Sequence, residues 1–253
     1  MEERGCEFIG TALLLLGGLP AVFLDFGPES PMAELLPSPS ARLLLTGLPF
    51  AGTGSLIAIS PLGRRSGAHL NPAVTLAFWV RGQVHAHDLA GYVIAQLLGA
   101  LAGTALLRYL WGSTAQALHL GATAPHRGLT ALDAALIEAA MTAGYLLMIL
   151  LMTSSARTAR WTPLGNLIMV AVLVWQVAPF TGTSLNPARS FGPAVLAPLL
   201  DPLWAYVVGP LTGALLAAGS IVLCTDLEPV TAKLFHDPAY RSTLGSKLPV
   251  AGS

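Results

Sequence analysis

Charge is the scarcest ingredient of this chain: 13 basic and 13 acidic residues make up 10% of its 253 positions, and they cancel to a formal net charge of zero. An ordinary soluble domain carries about 25% charged residues, so a water-soluble fold is excluded. A neutral chain also has no basic face to hold a nucleic acid. Cysteine is nearly missing as well. Cys6 and Cys224 stand near the two ends of the chain without metal-ligand spacing, and they read as inert thiols. No glycine-rich phosphate loop, nucleophile and base pair or metal-ligand cluster can be found, so neither enzymatic activity nor a cofactor is expected. What the chain has in quantity is apolar residues, 54% of the total.

The few charges divide these apolar residues into runs. Stretches free of Asp, Glu, Lys and Arg cover Phe8 to Leu24, Leu43 to Gly63, Leu89 to Leu107, Ala139 to Ala156, Trp161 to Ala188 and Pro202 to Thr225. A helix needs roughly 17 to 25 residues to cross the hydrocarbon, and these runs reach or approach that length. Six spans follow. The first is not a signal peptide, because Glu2, Glu3 and Glu7 spoil a basic n-region. With both termini on one side, Arg4, Arg64, Arg65, Arg81, Arg157, Arg160, Lys233, Arg241 and Lys247 face Arg42, Arg108 and Arg127, and the richer side is expected to be cytoplasmic. The proline-rich connection from Asp25 to Ala41, with Glu29 and Glu34, suits an external loop.

Two apolar pieces are too short to span: Pro72 to Val80 and Pro187 to Leu196. Each opens on a proline, whose missing N–H costs nothing in a first helical turn, so each is expected to be a half-helix. They belong to an internal duplication. Ser66 to Val74 (SGAHLNPAV) aligns with Thr181 to Arg189 (TGTSLNPAR) at a separation of 115, and six of nine positions are identical or Ser/Thr. Glu7 and Glu138 each open an apolar helix in the matching place. Three spans per half invert the second half relative to the first, so the half-helices enter from opposite faces and meet near the midplane. The expected fold is an all-α membrane protein, six transmembrane helices plus two re-entrant half-helices in an inverted repeat. The membrane domain is expected over residues 1–225, with repeats at about 5–110 and 130–225, followed by a cytoplasmic tail at 226–253.

The spacing has consequences of its own. Asn71 and Asn186 fall at N-cap positions, where the side chain caps backbone N–H groups and its amide hydrogens can point into a lumen. Two helix N-termini meeting there repel cations. The loops ahead of them, Gly67, Ala68, His69 and Gly182, Thr183, Ser184, are small enough to run extended, and their carbonyls would form an acceptor ladder along a pore. His69 is the bulky exception, read equally as a packed ring or as one touching solute. Arg189 lies three residues past Asn186 in a run with no other charge, and its burial needs a reason.

The pair of Asn-Pro-Ala motifs (Asn71, Pro72, Ala73 and Asn186, Pro187, Ala188), with Glu7, Gln96, Glu138 and Arg189 in place, resembles the major intrinsic protein family, the aquaporins and aquaglyceroporins, from about Gly5 to Cys224. The resemblance implies a passive channel that excludes protons and ions, a homotetramer in a lipid bilayer, and a bacterial-type inner membrane. It assigns Glu7 and Glu138 to bracing the re-entrant loops, and Ala51, Val174, Thr183 and Arg189 to the constriction. Water-specific members carry an aromatic and a histidine where this chain has Ala51 and Val174, although a one-residue slip would restore an aromatic at Phe50. Glycerol facilitators carry Asp where this chain has Ser190. Ser190, Ala194, Tyr206 and Val207 look more like the nodulin-26-like branch and its bacterial relatives, which implies passage of boric or arsenous acid, glycerol or urea together with water. A water-selective channel of the same fold is the alternative. An ion-coupled transporter is a remote one, since no acidic coupling site lies near the asparagines.

Overall fold

The computed structural model describes residues 3–28, 30–126 and 128–228, and among these every regular element is helical. Glu29, Arg127, Lys233, Arg241, Lys247 and most of the expected tail lie outside the described residues.

Among the described residues, six helices are long and apolar enough to cross a membrane: α1 (Glu3–Phe26), α2 (Pro39–Ile59), α4 (Ala86–Ala117), α5 (Ala131–Met152), α6 (Thr162–Thr181) and α8 (Leu203–Cys224). The half-helices are α3 (Pro72–Val80) and α7 (Pro187–Leu196). Local chemistry sets the ends. Ser38 caps α2 with Pro39 behind it, and Thr130 and Asp133 form a reciprocal capping box on α5. Gly182, at φ 76°, ends α6 in the left-handed conformation that a side chain would resist. α4 extends past the charge-free run that announced it. Its Arg108 leans out to donate to the Leu196 carbonyl at 3.2 Å, so the charge does not stop the helix.

Small residues let the spans approach. A Cβ on Gly99 would lie 2.3 Å from the Phe8 carbonyl oxygen, and one on Gly209 2.6 Å from that of Ala135, so α4 rides on α1 and α8 rides on α5 by the same device. The half-helices cross over. Ala73, Ala77 and Phe78 of α3 are buried with Leu146, Ile149 and Leu150 of α5 and Ala214 and Ala218 of α8, all from the second half. α7 packs on α4 of the first half, where a Cβ on Gly192 would lie 2.6 Å from the Ala100 carbonyl oxygen. Each repeat thus supplies the packing surface for the other's short helix.

Candidate permeation pathway

A cavity of about 330 Å³ runs between the halves, lined from Leu14, Ser55 and Ala58 past both asparagines to Phe26 and Leu43. Its centre is made by the two loop-to-half-helix junctions. Asn71 Oδ1 accepts from the Ala73 N–H at 2.8 Å, and Asn186 Oδ1 accepts from those of Ala188 and Arg189 at 3.0 and 3.3 Å. Each amide also donates across the molecule: Asn71 Nδ2 to the Leu185 carbonyl and Asn186 Nδ2 to the Leu70 carbonyl, both at 2.8 Å. One hydrogen of each amide is therefore spent on the opposite loop, and one is left for the lumen.

The loops are not extended as expected. Gly67, Ala68 and Leu70 have φ of 91°, 50° and 52°, and Gly182, Thr183 and Leu185, each 115 positions later, have 76°, 49° and 57°. Left-handed conformations at non-glycine residues cost of order 1–3 kcal/mol each, and something must hold them. Glu7 does so in the first loop, accepting from the N–H groups of His69 (3.1 Å) and Leu70 (2.7 Å), with Gln96 Nε2 donating to the same carboxylate at 2.7 Å. Glu138 holds the second, accepting from Ser184 and Leu185, both at 2.9 Å, and from the Thr181 hydroxyl at 2.8 Å. Both glutamates are fully buried. Two tyrosines complete the scaffold: Tyr92 donates to the Ser66 carbonyl at 2.7 Å and Tyr206 to that of Thr181 at 2.8 Å. Sequence reasoning missed this pairing. Tyr92 and Tyr206 stand 114 positions apart, and testing the other tyrosines against the repeat would have raised it.

The His69 ring is packed and not free to sweep the lumen. Its Nδ1 lies 3.2 Å from the Thr75 hydroxyl, and its centroid is 4.9 Å from that of Phe78 and 5.4 Å from that of Tyr92.

Ala51, Val174, Thr183 and Arg189 all line the cavity, and so does Phe50. Arg189, 7% exposed, donates through Nη1 to the Gly121 carbonyl at 2.7 Å, and its guanidinium carbon lies 5.2 Å from the centre of the Phe50 ring. An aromatic therefore stands beside the arginine even though Ala51 holds the aligned position. Of the two bulky groups that water-specific members carry, an aromatic is present here as Phe50, and Val174 supplies no ring. Ser190 makes hydrogen bonds within the protein and does not line the cavity: its hydroxyl lies 2.7 Å from that of Thr123 and 2.6 Å from that of Ser184.

Two half-helices meeting at capped asparagines between six apolar spans, with a lined path past a buried arginine, define a membrane channel of the inverted-repeat type. Residues 2–220 match the family described as Major intrinsic protein, and the chain belongs to it. It is 35% identical to the lens fiber major intrinsic protein of Gallus gallus over 236 residues, covering 90% of this chain and 84% of that one. It is 35% identical over 227 residues to glycerol uptake facilitator protein-like 6 of Lactiplantibacillus plantarum, covering 86% of this chain and 95% of that one. Aquaporin Z of Brucella melitensis is 33% identical at the same coverage. Among solved structures, the aquaglyceroporin from Plasmodium falciparum superposes with a TM-score of 0.72 at 20% identity, covering 88% of this chain and 96% of that one. The protein is an integral, multi-pass, passive channel for water and small solutes and not an enzyme.

Proposed function

We propose that the channel passes small uncharged solutes bearing several hydroxyl or amide groups, such as glycerol, urea or boric and arsenous acid, along with water. One observation carries the reading. At the constriction Arg189 is charged and donor-rich, while Phe50, Ala51 and Val174 facing the same cavity are apolar. A solute with a polar edge and a carbon or boron body meets donors on one side and apolar wall on the other. Val174 contributes no ring to narrow the passage and no donor to fix a water file. The Arg189 charge and the two half-helix dipoles repel cations, and the free amide hydrogens of Asn71 and Asn186 orient a passing oxygen so that a proton relay is broken. Glu7 and Glu138 act as braces for the acceptor ladder of Gly67, Ala68, His69, Gly182, Thr183 and Ser184. We place both termini in the cytoplasm of a bacterial-type inner membrane, on loop charge, and expect a homotetramer.

The competing reading is a water-selective channel, favoured by the Phe50 ring beside Arg189. Stopped-flow light scattering of proteoliposomes under glycerol, urea and boric acid gradients separates the two. Solute-driven reswelling is expected, and water flux without any solute flux would overturn the proposal. In the broad-pore case Ala51→Phe should suppress solute flux and spare water.

A further inference from the structure

A polar cluster sits in the cavity wall at the end away from Arg189, and the constriction does not use it. Ser55 lies one turn beyond Ala51 in α2, Tyr145 lies two turns beyond Glu138 in α5, and Asn166 lies one turn into α6. All three line the cavity, as does Thr162 at the start of α6. Asn166 ties the three helices together. Its Nδ2 donates to Ser55 Oγ at 3.0 Å and to the Ala51 carbonyl at 3.3 Å, its Oδ1 accepts from the Tyr145 hydroxyl at 2.8 Å, and Ser55 donates to the Pro163 carbonyl at 2.7 Å.

Counting hydrogens decides what the cluster can do. Both amide hydrogens of Asn166 and the hydroxyl hydrogens of Tyr145 and Ser55 are committed within the protein, while the lone pairs of all three oxygens are only partly used. The cluster is an acceptor surface. Thr162 is 2% exposed, and its hydroxyl has no hydrogen-bond partner among the described residues, an arrangement that costs free energy unless a passing molecule relieves it. The cluster also breaks the repeat. The residue 115 positions before Asn166 is Ala51, so the first half builds the same skeleton without an amide there.

We propose that Ser55, Tyr145, Asn166 and Thr162 form a second solute station, which takes a neutral solute able to donate hydrogen bonds after it has passed the donors of Arg189 and the asparagines. This rests on the reading that such solutes enter the channel. A polyol or urea sheds more of its hydration shell in an apolar pore than a water molecule, which keeps its file neighbours, so the lost acceptors matter more to the solute.

The test is stopped-flow measurement of glycerol, urea and water permeability in proteoliposomes of the full chain, comparing wild type with Tyr145→Phe, Thr162→Val and Thr162→Ser. Tyr145→Phe and Thr162→Val should each lower glycerol and urea permeability about fivefold, the weight of one hydrogen bond, with water changed by less than about twofold. Thr162→Ser, which keeps the hydroxyl, should behave as wild type. The station is overturned if wild type conducts glycerol and both Tyr145→Phe and Thr162→Val conduct it equally well, or if water and solute fall together in these variants and in Thr162→Ser. A wild-type channel that conducts water but neither glycerol nor urea overturns the solute reading itself, and the station with it.

Discussion

The two halves of the molecule share one skeleton and differ in what they present to the pore. In each, a buried glutamate holds two loop N–H groups, a tyrosine hydroxyl holds the carbonyl at the loop's entry, and an asparagine caps a half-helix while reaching the opposite loop. The differences fall on the side chains around that skeleton. Arg189 occupies the place of Val74, Ser184 that of His69, and Asn166 that of Ala51. The first half supplies the cation-free wall, and the second carries the charge and the amide. Duplication of the backbone has thus been kept where geometry is strained, and relaxed where solute passes.

The comparison breaks most severely at the glutamates. Glu138→Leu leaves the N–H groups of Ser184 and Leu185 buried without acceptors, at about 1–3 kcal/mol apiece, and Glu7→Leu does the same to His69 and Leu70. Both variants should lose monodisperse protein in size-exclusion chromatography. A large difference between them would mean that the two loops are not equally loaded. Next in size is Arg189→Val, which gives the second half the first half's residue. Planar-bilayer recording should then detect a cation leak, with severalfold faster glycerol flux; unchanged ion exclusion would assign the barrier to the half-helix dipoles alone. Smaller effects are expected from Gly99→Ala and Gly209→Ala, each of which forces a Cβ onto a carbonyl oxygen at a helix crossing. Overpacking of this kind costs about 1–3 kcal/mol, and both thermal unfolding temperatures should fall together. The smallest is Ser190→Ala. It removes the link between Thr123 and Ser184 at about 1 kcal/mol, with solute and water fluxes close to wild type.

The spans and the half-helices were legible in the sequence because charge is expensive in hydrocarbon and proline marks a first turn. α3 and α7 begin and end where the two short apolar pieces do. The site was legible wherever the repeat doubled it, since two copies of one motif at a fixed separation locate both. What escaped was conformation and rotation. Nothing in Gly-Ala-His-Leu or Gly-Thr-Ser-Leu signals that the second and fourth residues take positive φ, because the strain is supported by carboxylates more than 40 residues away in the chain. Alignment puts Ala51 at the constriction, but adjacent residues on a helix are about 100° apart, and both Phe50 and Ala51 reach the cavity. Asn166 gives no comparable signal, because an amide in an apolar run carries no charge, although a polar group at membrane depth asks for a reason.

The reciprocal bonds from Asn71 to the Leu185 carbonyl and from Asn186 to the Leu70 carbonyl have a consequence for assembly. When the ribosome has made the first three spans, the Asn71 amide lacks its acceptor on the opposite loop and α3 lacks the α5 and α8 side chains it is buried with, because both come from residues more than 60 positions later. The first re-entrant segment therefore completes its contacts, and the lumen sets, only after the chain has been synthesised past α8.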